Sequence, residues 1–348
     1  MKKVTGLDFI GIGQYLPRTV VGSEFFTTWP LNEYKADGSI GKVKRLTKKD
    51  IVDRCGIEER RVADRGETVE YMAEQAAREA LIDAKLNPRD LNGIVVATLT
   101  NKRRSPGVAA ELQGRLGAKG EIAEDVNNAC AGFPAAVRRV HDFVVAENKP
   151  GYYLVVASEK LTPFVHMRDW NSYLFGDAAG AAVFKTVEGG IFDKFKRKKG
   201  VMGFDSGTNP AGLKWVYVDD QGMLRMPEGK EVFKIAVKEM YDSVEKLRNK
   251  IGWQNKDIVI GPHQANGRIL DNIRDRIHEN YPLDTVVNIV SWLGNTSAAT
   301  IPVVWNHALR KGIITPQYPK AIFPTIGAGM NWSTFAVDHT GYFVNKKY

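Results

Sequence analysis

Cysteine is scarce in this chain: two residues, Cys55 and Cys130, among 348. That excludes a disulfide-built scaffold and a thiolate metal centre, which need several cysteines at set spacings. It suits a reducing compartment, so a cytoplasmic location is expected. Long apolar runs are also missing. No stretch approaches the roughly 18 residues of a membrane-spanning helix. The opening MKKVTGLDFIGIG is broken by Asp8 before it is long enough for a secretory leader. Zinc-finger spacing, a basic zipper and an RNA-binding aromatic signature are absent, so no nucleic-acid partner is expected. Acid is in deficit as well: 40 acidic against 49 basic residues leave a formal charge of +9.

What is present is an ordinary globular composition, 43% apolar and 26% charged, long enough for two domains or one large double one. The basic excess is clustered in GKVKRLTKKD (41–50), NKRRS (101–105) and KFKRKKG (194–200). Such runs are ordinarily solvated loops. Their alternative role is to attract an acidic partner through a long-range field.

Short apolar strands alternate with amphipathic helices, the pattern of an α/β protein. GIVVATLT (93–100), YYLVVASE (152–159) and DIVIGPHQ (257–264) read as strands. Helical spacing predicts helices over 69–86, ending before Asn87-Pro88, and over 229–252. Two patterns recur at half-chain distance. FGDAAGAAVF (175–184) and TIGAGMNWSTFAV (325–337) are each a glycine-rich turn leading into small and apolar residues. Upstream of each lies a strand-to-helix junction, NNACAGFPAAV and LGNTSAATIPVVW. Two similar halves follow, about 1–190 and 191–348, with Cys130 and Asn295 at equivalent helix starts facing one cleft. The stretch 27–46 has no clear periodicity and reads as a long surface loop or lid.

Three side chains stand out chemically. A free cysteine is ordinarily a small buried hydrophobe. Cys130, however, sits among Ala129, Ala131 and Gly132 at a helix start, where unsatisfied N–H groups favour thiolate. His263 follows a strand in a Pro- and Gly-framed loop, a setting the other five histidines lack. Asn295 opens a helix, which by itself is a common capping role. As a catalytic amide it needs a cysteine and a histidine across the cleft. IGAGMNW lacks the Lys-Ser/Thr of a phosphate loop, and GIGQYL lacks the third glycine of a dinucleotide fingerprint. A turn offering a backbone N–H to a developing oxyanion is the better reading.

With DVNNACAGF, PHQANGRI, GNTSAATIP, FGDAAGAAV and the late GAGMNW in this order, the chain resembles the β-ketoacyl-[acyl-carrier-protein] synthase III family of the thiolase superfamily. The resemblance spans nearly the whole chain except 27–50. It implies a five-layered αβαβα fold and a homodimer. It implies no metal or redox cofactor, only acyl-coenzyme A or acyl-carrier-protein thioesters as substrates. Cys130 is expected to take an acyl group, and His263 with Asn295 to stabilise the enolate left by decarboxylation of a malonyl-carrier thioester. The N–H groups of Cys130 and Ala328 are expected to form the oxyanion hole. Ser105, Leu174 and Phe175 map to the acyl channel. Lys234, Arg268, Arg274 and Arg276 map to the carrier-protein surface.

The chain also departs from the family. Housekeeping members sandwich the coenzyme A adenine between a Trp and an Arg, where this sequence places Asp50 and Asp169. Arg168 or Trp170 are the available substitutes. Ser105 stands where a bulky residue from the other subunit closes the channel in short-chain members, so the channel is expected to be open unless Arg103 or Arg104 folds in. Ala328 replaces a glycine and is tolerated at negative φ. These features point to a specialised synthase with a medium, long or unusual primer. Alternatives are acyl transfer to an amine or hydroxyl, a non-catalytic partner subunit, and non-decarboxylating long-chain condensation, for which Glu111 is a candidate base.

Overall fold

The computed structural model describes residues 2–35, 37–103, 105–189, 199–253 and 257–346. The first half contains strands β1 (Lys3–Tyr15), β2 (Thr19–Gly22), β3 (Leu31–Tyr34), β4 (Ile40–Lys44), β5 (Glu59–Val62), β6 (Leu91–Ala97), β7 (Ile122–Val126), β8 (Tyr152–Lys160) and β9 (Asp177–Gly189). The second contains β10 (Gly200–Thr208), β11 (Tyr217–Val218), β12 (Leu224–Arg225), β13 (Val259–Ile260), β14 (Thr285–Val286), β15 (Lys320–Gly327) and β16 (Asn331–Asp338). The helices are α1 (Lys48–Cys55), α2 (Val69–Ala84), α3 (Val108–Leu116), α4 (Gly132–Ala146), α5 (Gly229–Ile251), α6 (Gly267–Asn280), α7 (Val290–Leu293), α8 (Thr300–Arg310) and α9 (Thr340–Lys346).

Two five-stranded sheets carry the fold, ordered β1-β9-β8-β6-β7 and β10-β16-β15-β13-β14. They have the same internal logic. In each, neighbours among the first three strands pair antiparallel and the last three strands are parallel. The duplication read faintly in the sequence is therefore topological. The two glycine-rich repeats are β9 and β16, and the two strand-to-helix junctions precede α4 and α8.

Helices α4 and α8 lie between the sheets, α2 and α3 cover the outer face of the first, and α5 and α6 that of the second. This is the five-layered αβαβα arrangement. The parallel strands β6 and β8 are buried on both faces, which explains their continuous apolar runs. Helix α2 turns Met72, Ala73, Ala76, Ala77 and Ala80 onto the sheet at helical spacing. It starts on the Thr68 side chain, which accepts from the Tyr71 N–H, and stops at Lys85 in the left-handed region. Trp305 of α8, fully buried, stacks among Phe9, Phe323 and Phe335 at the centre of the core.

The 27–46 stretch differs from its expectation as an irregular loop or lid. It forms the β3–β4 hairpin. Leu31 is fully buried, and the Asn32 backbone exchanges hydrogen bonds with Arg168 and Trp170. One anchored leucine and two backbone bonds fix a segment whose composition carries no period. Of DIVIGPHQ, only Val259–Ile260 is strand; the rest is the loop that carries His263. The basic stretch 194–198 and Arg104 lie outside the described residues.

Candidate active site

The site forms where the two halves meet. After β7 the chain passes through Asn127 and Asn128 into a 3-10 turn, Ala129–Ala131, and then into α4. In the second half Asn295 and Thr296 lead into the 3-10 turn Ser297–Ala299 and then α8. Each turn opens on a non-glycine residue in the left-handed region: Ala129 at φ 45° and Ser297 at φ 49°. Backbone held there is strained and marks a position that the surroundings over-determine. Matching the turns on these residues pairs Cys130 with Ala298 and Asn127 with Asn295. Cys130 and Asn295 were expected to be equivalent. They belong to equivalent junctions but sit three residues apart in register.

Asn295 is clamped on both backbone sides. Its N–H donates to Leu174 O at 2.8 Å, and its carbonyl accepts from Gly176 N at 3.0 Å. Its side-chain Oδ1 accepts from Ser297 N at 2.9 Å. Behind this clamp lies Arg60, fully buried, whose guanidinium donates to Val21 O, Ser23 Oγ and Tyr173 O. His263 follows β13, and its N–H donates to Pro324 O at 3.0 Å. The ring is buried and its Nδ1 makes no hydrogen bond. Burial holds it down at about 3, so the imidazole is neutral throughout the physiological range.

The end of β15 meets the cysteine turn. A Cβ on Gly327 would stand 2.8 Å from Cys130 N and 2.9 Å from Asn128 O, so only glycine fits there. Gly329 at φ 77° and Met330 at φ 49° follow, both in the left-handed region. Ala328 between the two glycines is not left-handed, consistent with its tolerated methyl.

Cys130, His263 and Asn295 line one cavity with Ala328, Leu174 and Phe175. Counted to its open mouth, it holds about 880 Å³ of empty space. Much of the remaining wall is aliphatic or aromatic, including Leu99, Leu161, Leu224, Met226 and Phe233. Ser105 is exposed and does not line it. Arg103 does not fold into it either, since its guanidinium pairs with Glu111, which also holds Arg115.

The thiol differs from its expectation. Burial pushes Cys130 up to about 11, and the Glu159 charge adds to this, while the Ser297 hydroxyl works the other way. Enclosure outweighs the favourable helix start in the resting state. Glu159 itself was not foreseen. It ends the apolar run YYLVVASE and is fully buried. It accepts from Thr100 Oγ1 at 2.8 Å, Thr98 Oγ1 at 3.2 Å and the Leu99 N–H. Burial raises its carboxyl to about 7. A carboxylate at the end of an apolar run, one residue before its strand ends at Lys160, is the signal by which the sequence marks it.

Gly229 and Val232 of α5, Ile269 of α6 and its capping residue Asn266 also line the cavity. Lys234 is exposed nearby on α5 and pairs with Glu231. Arg268 donates to Asp53 O at the end of α1. Arg274 is matched by Asp271 and Asp275, and Arg276 lies over the Tyr241 ring. Asp50 belongs to the α1 capping box with Thr47, and Asp169 is buried with Arg225 3.6 Å away. Arg54 stacks on Trp170 at 4.5 Å. Among the described residues no cluster of His, Cys, Asp or Glu could hold a metal, and no helix is long and apolar enough to cross a membrane.

A thiol and a neutral imidazole beside a carboxamide, at the seam of a duplicated five-layer fold, define a thiolase-fold condensing enzyme, an acyltransferase that makes carbon–carbon bonds. Two family descriptions match the sequence: 3-oxoacyl-[acyl-carrier-protein] synthase III over residues 124–200, and the C-terminal part of the same synthase over residues 249–339. The β-ketoacyl-[acyl-carrier-protein] synthase III 1 of Bacillus cereus is 35% identical over 336 residues, covering 95% of this chain and 98% of the relative. The crystal structure of the Aquifex aeolicus synthase III superposes with a TM-score of 0.81 at 31% identity, over 96% of this chain and 100% of that one. The priming β-ketosynthase of the R1128 polyketide pathway superposes equally well, TM-score 0.81 at 28% identity, over 97% of each chain. The chain belongs to the β-ketoacyl-[acyl-carrier-protein] synthase III family.

Proposed function

We propose that this enzyme primes Cys130 with an acyl group and then condenses it, with loss of carbon dioxide, with a malonyl- or related carrier-protein thioester. The observation that carries this is the meeting of Cys130, His263 and Asn295 on one cavity. In the first step sulfur attacks the donor carbonyl and the donor thiol leaves. The negative oxygen of the tetrahedral intermediate is met by the N–H groups of Cys130 and Ala328, brought together by the Gly327 contact. In the second step the extender loses its carboxylate, and the electron pair passes to the thioester oxygen as an enolate. Neutral His263 and Asn295 donate to that oxygen. The carbanion then attacks the acyl-Cys130 carbonyl and expels the thiolate. Acyl transfer to an amine or hydroxyl needs no enolate donors, so the His–Asn pair favours condensation.

The mouth favours a carrier-protein donor over acetyl-coenzyme A. Asp50 and Asp169 are engaged elsewhere, and Trp170, one of the two substitutes, is already stacked on Arg54. Lys234 and Arg268 flank the same mouth and suit an acidic carrier protein. Arg274, matched by two aspartates, contributes less. The halves 1–190 and 191–348 supply the nucleophile and the enolate donors respectively. We read the molecule as a cytoplasmic homodimer in which the exposed Ser105 loop enters the partner's channel, leaving room for a medium or long primer. No cofactor is required by this chemistry.

The test is intact-mass analysis of the protein after incubation with a panel of acyl-coenzyme A and acyl-carrier thioesters. An acyl adduct on Cys130, turned over to a β-ketoacyl product by malonyl-carrier protein, is expected. An adduct that malonyl-carrier protein does not discharge would overturn condensation.

A further inference from the structure

The priming step must remove a proton from Cys130, and His263 and Asn295 do not take it. His263 is held neutral and far from basic by its burial. We propose that the Glu159 carboxylate is the proton acceptor for Cys130, reached through the Ser297 hydroxyl. The inference rests on the reading of Cys130 as the nucleophile.

Three observations carry it. Glu159 is fully buried, and the hydrogen bonds it accepts come from neutral groups, two threonine hydroxyls and one amide. Such a carboxylate is under-compensated and accepts a proton readily. Ser297 lines the cavity beside Cys130, is itself 1% exposed, and its Oγ has no formed hydrogen bond. Its turn packs on both the cysteine turn and β8, the strand of Glu159, and its hydroxyl lowers the titration of both the thiol and the carboxyl. The strained φ of 49° at Ser297 holds the hydroxyl at that point, where the 297–299 turn packs on both the cysteine turn and β8. A buried hydroxyl without a partner, placed between a thiol and a carboxylate, is a relay: it accepts from one side and donates to the other.

The step balances. The Cys130 S–H bond breaks, and its proton passes to Ser297 Oγ as the serine proton passes to Glu159. Sulfur uses the freed electron pair to form the bond to the donor carbonyl carbon. When the donor thiolate leaves, the proton returns by the same path or from solvent. Other charged groups near Glu159 point elsewhere. On its own strand Lys160 donates to the carbonyls of Asp64 and Glu67. On β9 Asp177 accepts from Ala63 N and Thr162. On α2, Glu70 lines a separate hollow beyond Thr100 with Arg65, Lys102, Arg103 and Lys160. β6 carries no charged residue, and α4 faces the sheet with apolar side chains.

The experiment compares wild type, Glu159→Gln and Ser297→Ala. Acylation of Cys130 by a donor thioester and its alkylation by iodoacetamide are each followed by intact mass from pH 6 to 10. With a carboxyl titrating near 7 as acceptor, the wild-type rate should roughly double between pH 7 and 9 and level off. Without the relay it should follow the thiol alone and climb towards about 100-fold over the same interval. Ser297→Ala keeps the carboxylate and its threonine bonds, so it reports on the relay if Glu159→Gln folds poorly. Profiles unchanged in both variants, or a wild-type profile that climbs without a break, would overturn the proposal. A wild type that is alkylated but never acylated would instead count against Cys130 as the acyl carrier, and the alkylation profiles would still decide the relay.

Discussion

Replacing His263 with Gln should make the protein more tolerant of acid, although it removes a proposed catalytic group. His263 is 1% exposed, and its folded-state value of about 3 lies well below the ordinary 6.5. A depressed histidine favours the fold while neutral. Its contribution is complete above 6.5 and is lost as pH falls from there towards 3. The unfolded chain binds the proton first, so lowering the pH from 8 to 5 should cost about 2 kcal/mol through this residue, and about 5 kcal/mol if carried below 3. His339 adds a similar loss, since burial holds it at about 4 and its Nε2 must accept from Trp305. It is present in both proteins and cancels in the comparison. Urea unfolding at pH 8 and pH 5 gives the four stabilities required. The pH-dependent loss in wild type should exceed that in His263→Gln by about 2 kcal/mol. Equal losses would mean that the ring is not held neutral by its enclosure. His263 as a neutral donor to the enolate would then lose its basis.

Three further outcomes follow from the geometry. Gly327→Ala places a methyl 2.8 Å from Cys130 N, so the oxyanion pocket should open and kcat should fall about 100-fold or more, with the circular dichroism spectrum retained. Ser105→Phe should cut turnover of long primers more than short ones in a primer-length series; an equal loss would refute the channel reading. Lys234→Glu combined with Arg268→Glu should raise KM for malonyl-carrier protein about tenfold or more while leaving iodoacetamide labelling of Cys130 unchanged. Arg274→Glu, already flanked by Asp271 and Asp275, should have a much smaller effect.

The three principal side chains were legible because each sits in a local pattern that chemistry rarely needs otherwise: a thiol among small residues, a histidine in a stiff loop, an asparagine before a helix. The halves were legible because glycine-rich turns and strand-to-helix junctions recur in order. The proposed acceptor for the thiol proton was not, because Glu159 becomes interesting only when the Thr98–Thr100 segment, the 297–299 turn and the cysteine turn come together around it from far apart in sequence. The thiol's raised value was missed for the same reason: a helix start is local, whereas enclosure is a property of the whole fold. The 27–46 hairpin escaped because the Asn32 backbone finds its partners more than a hundred residues away.

The close approach of Gly327 to the cysteine turn has a mechanical side. The backbone of one half lies directly against the Cys130 amide in the other, with no side chain between them to act as a cushion. A small slip along the seam would therefore be felt first by the proposed oxyanion donors, before either core loosened. Activity in this enzyme would act as a strain gauge for the joint between its two repeated halves.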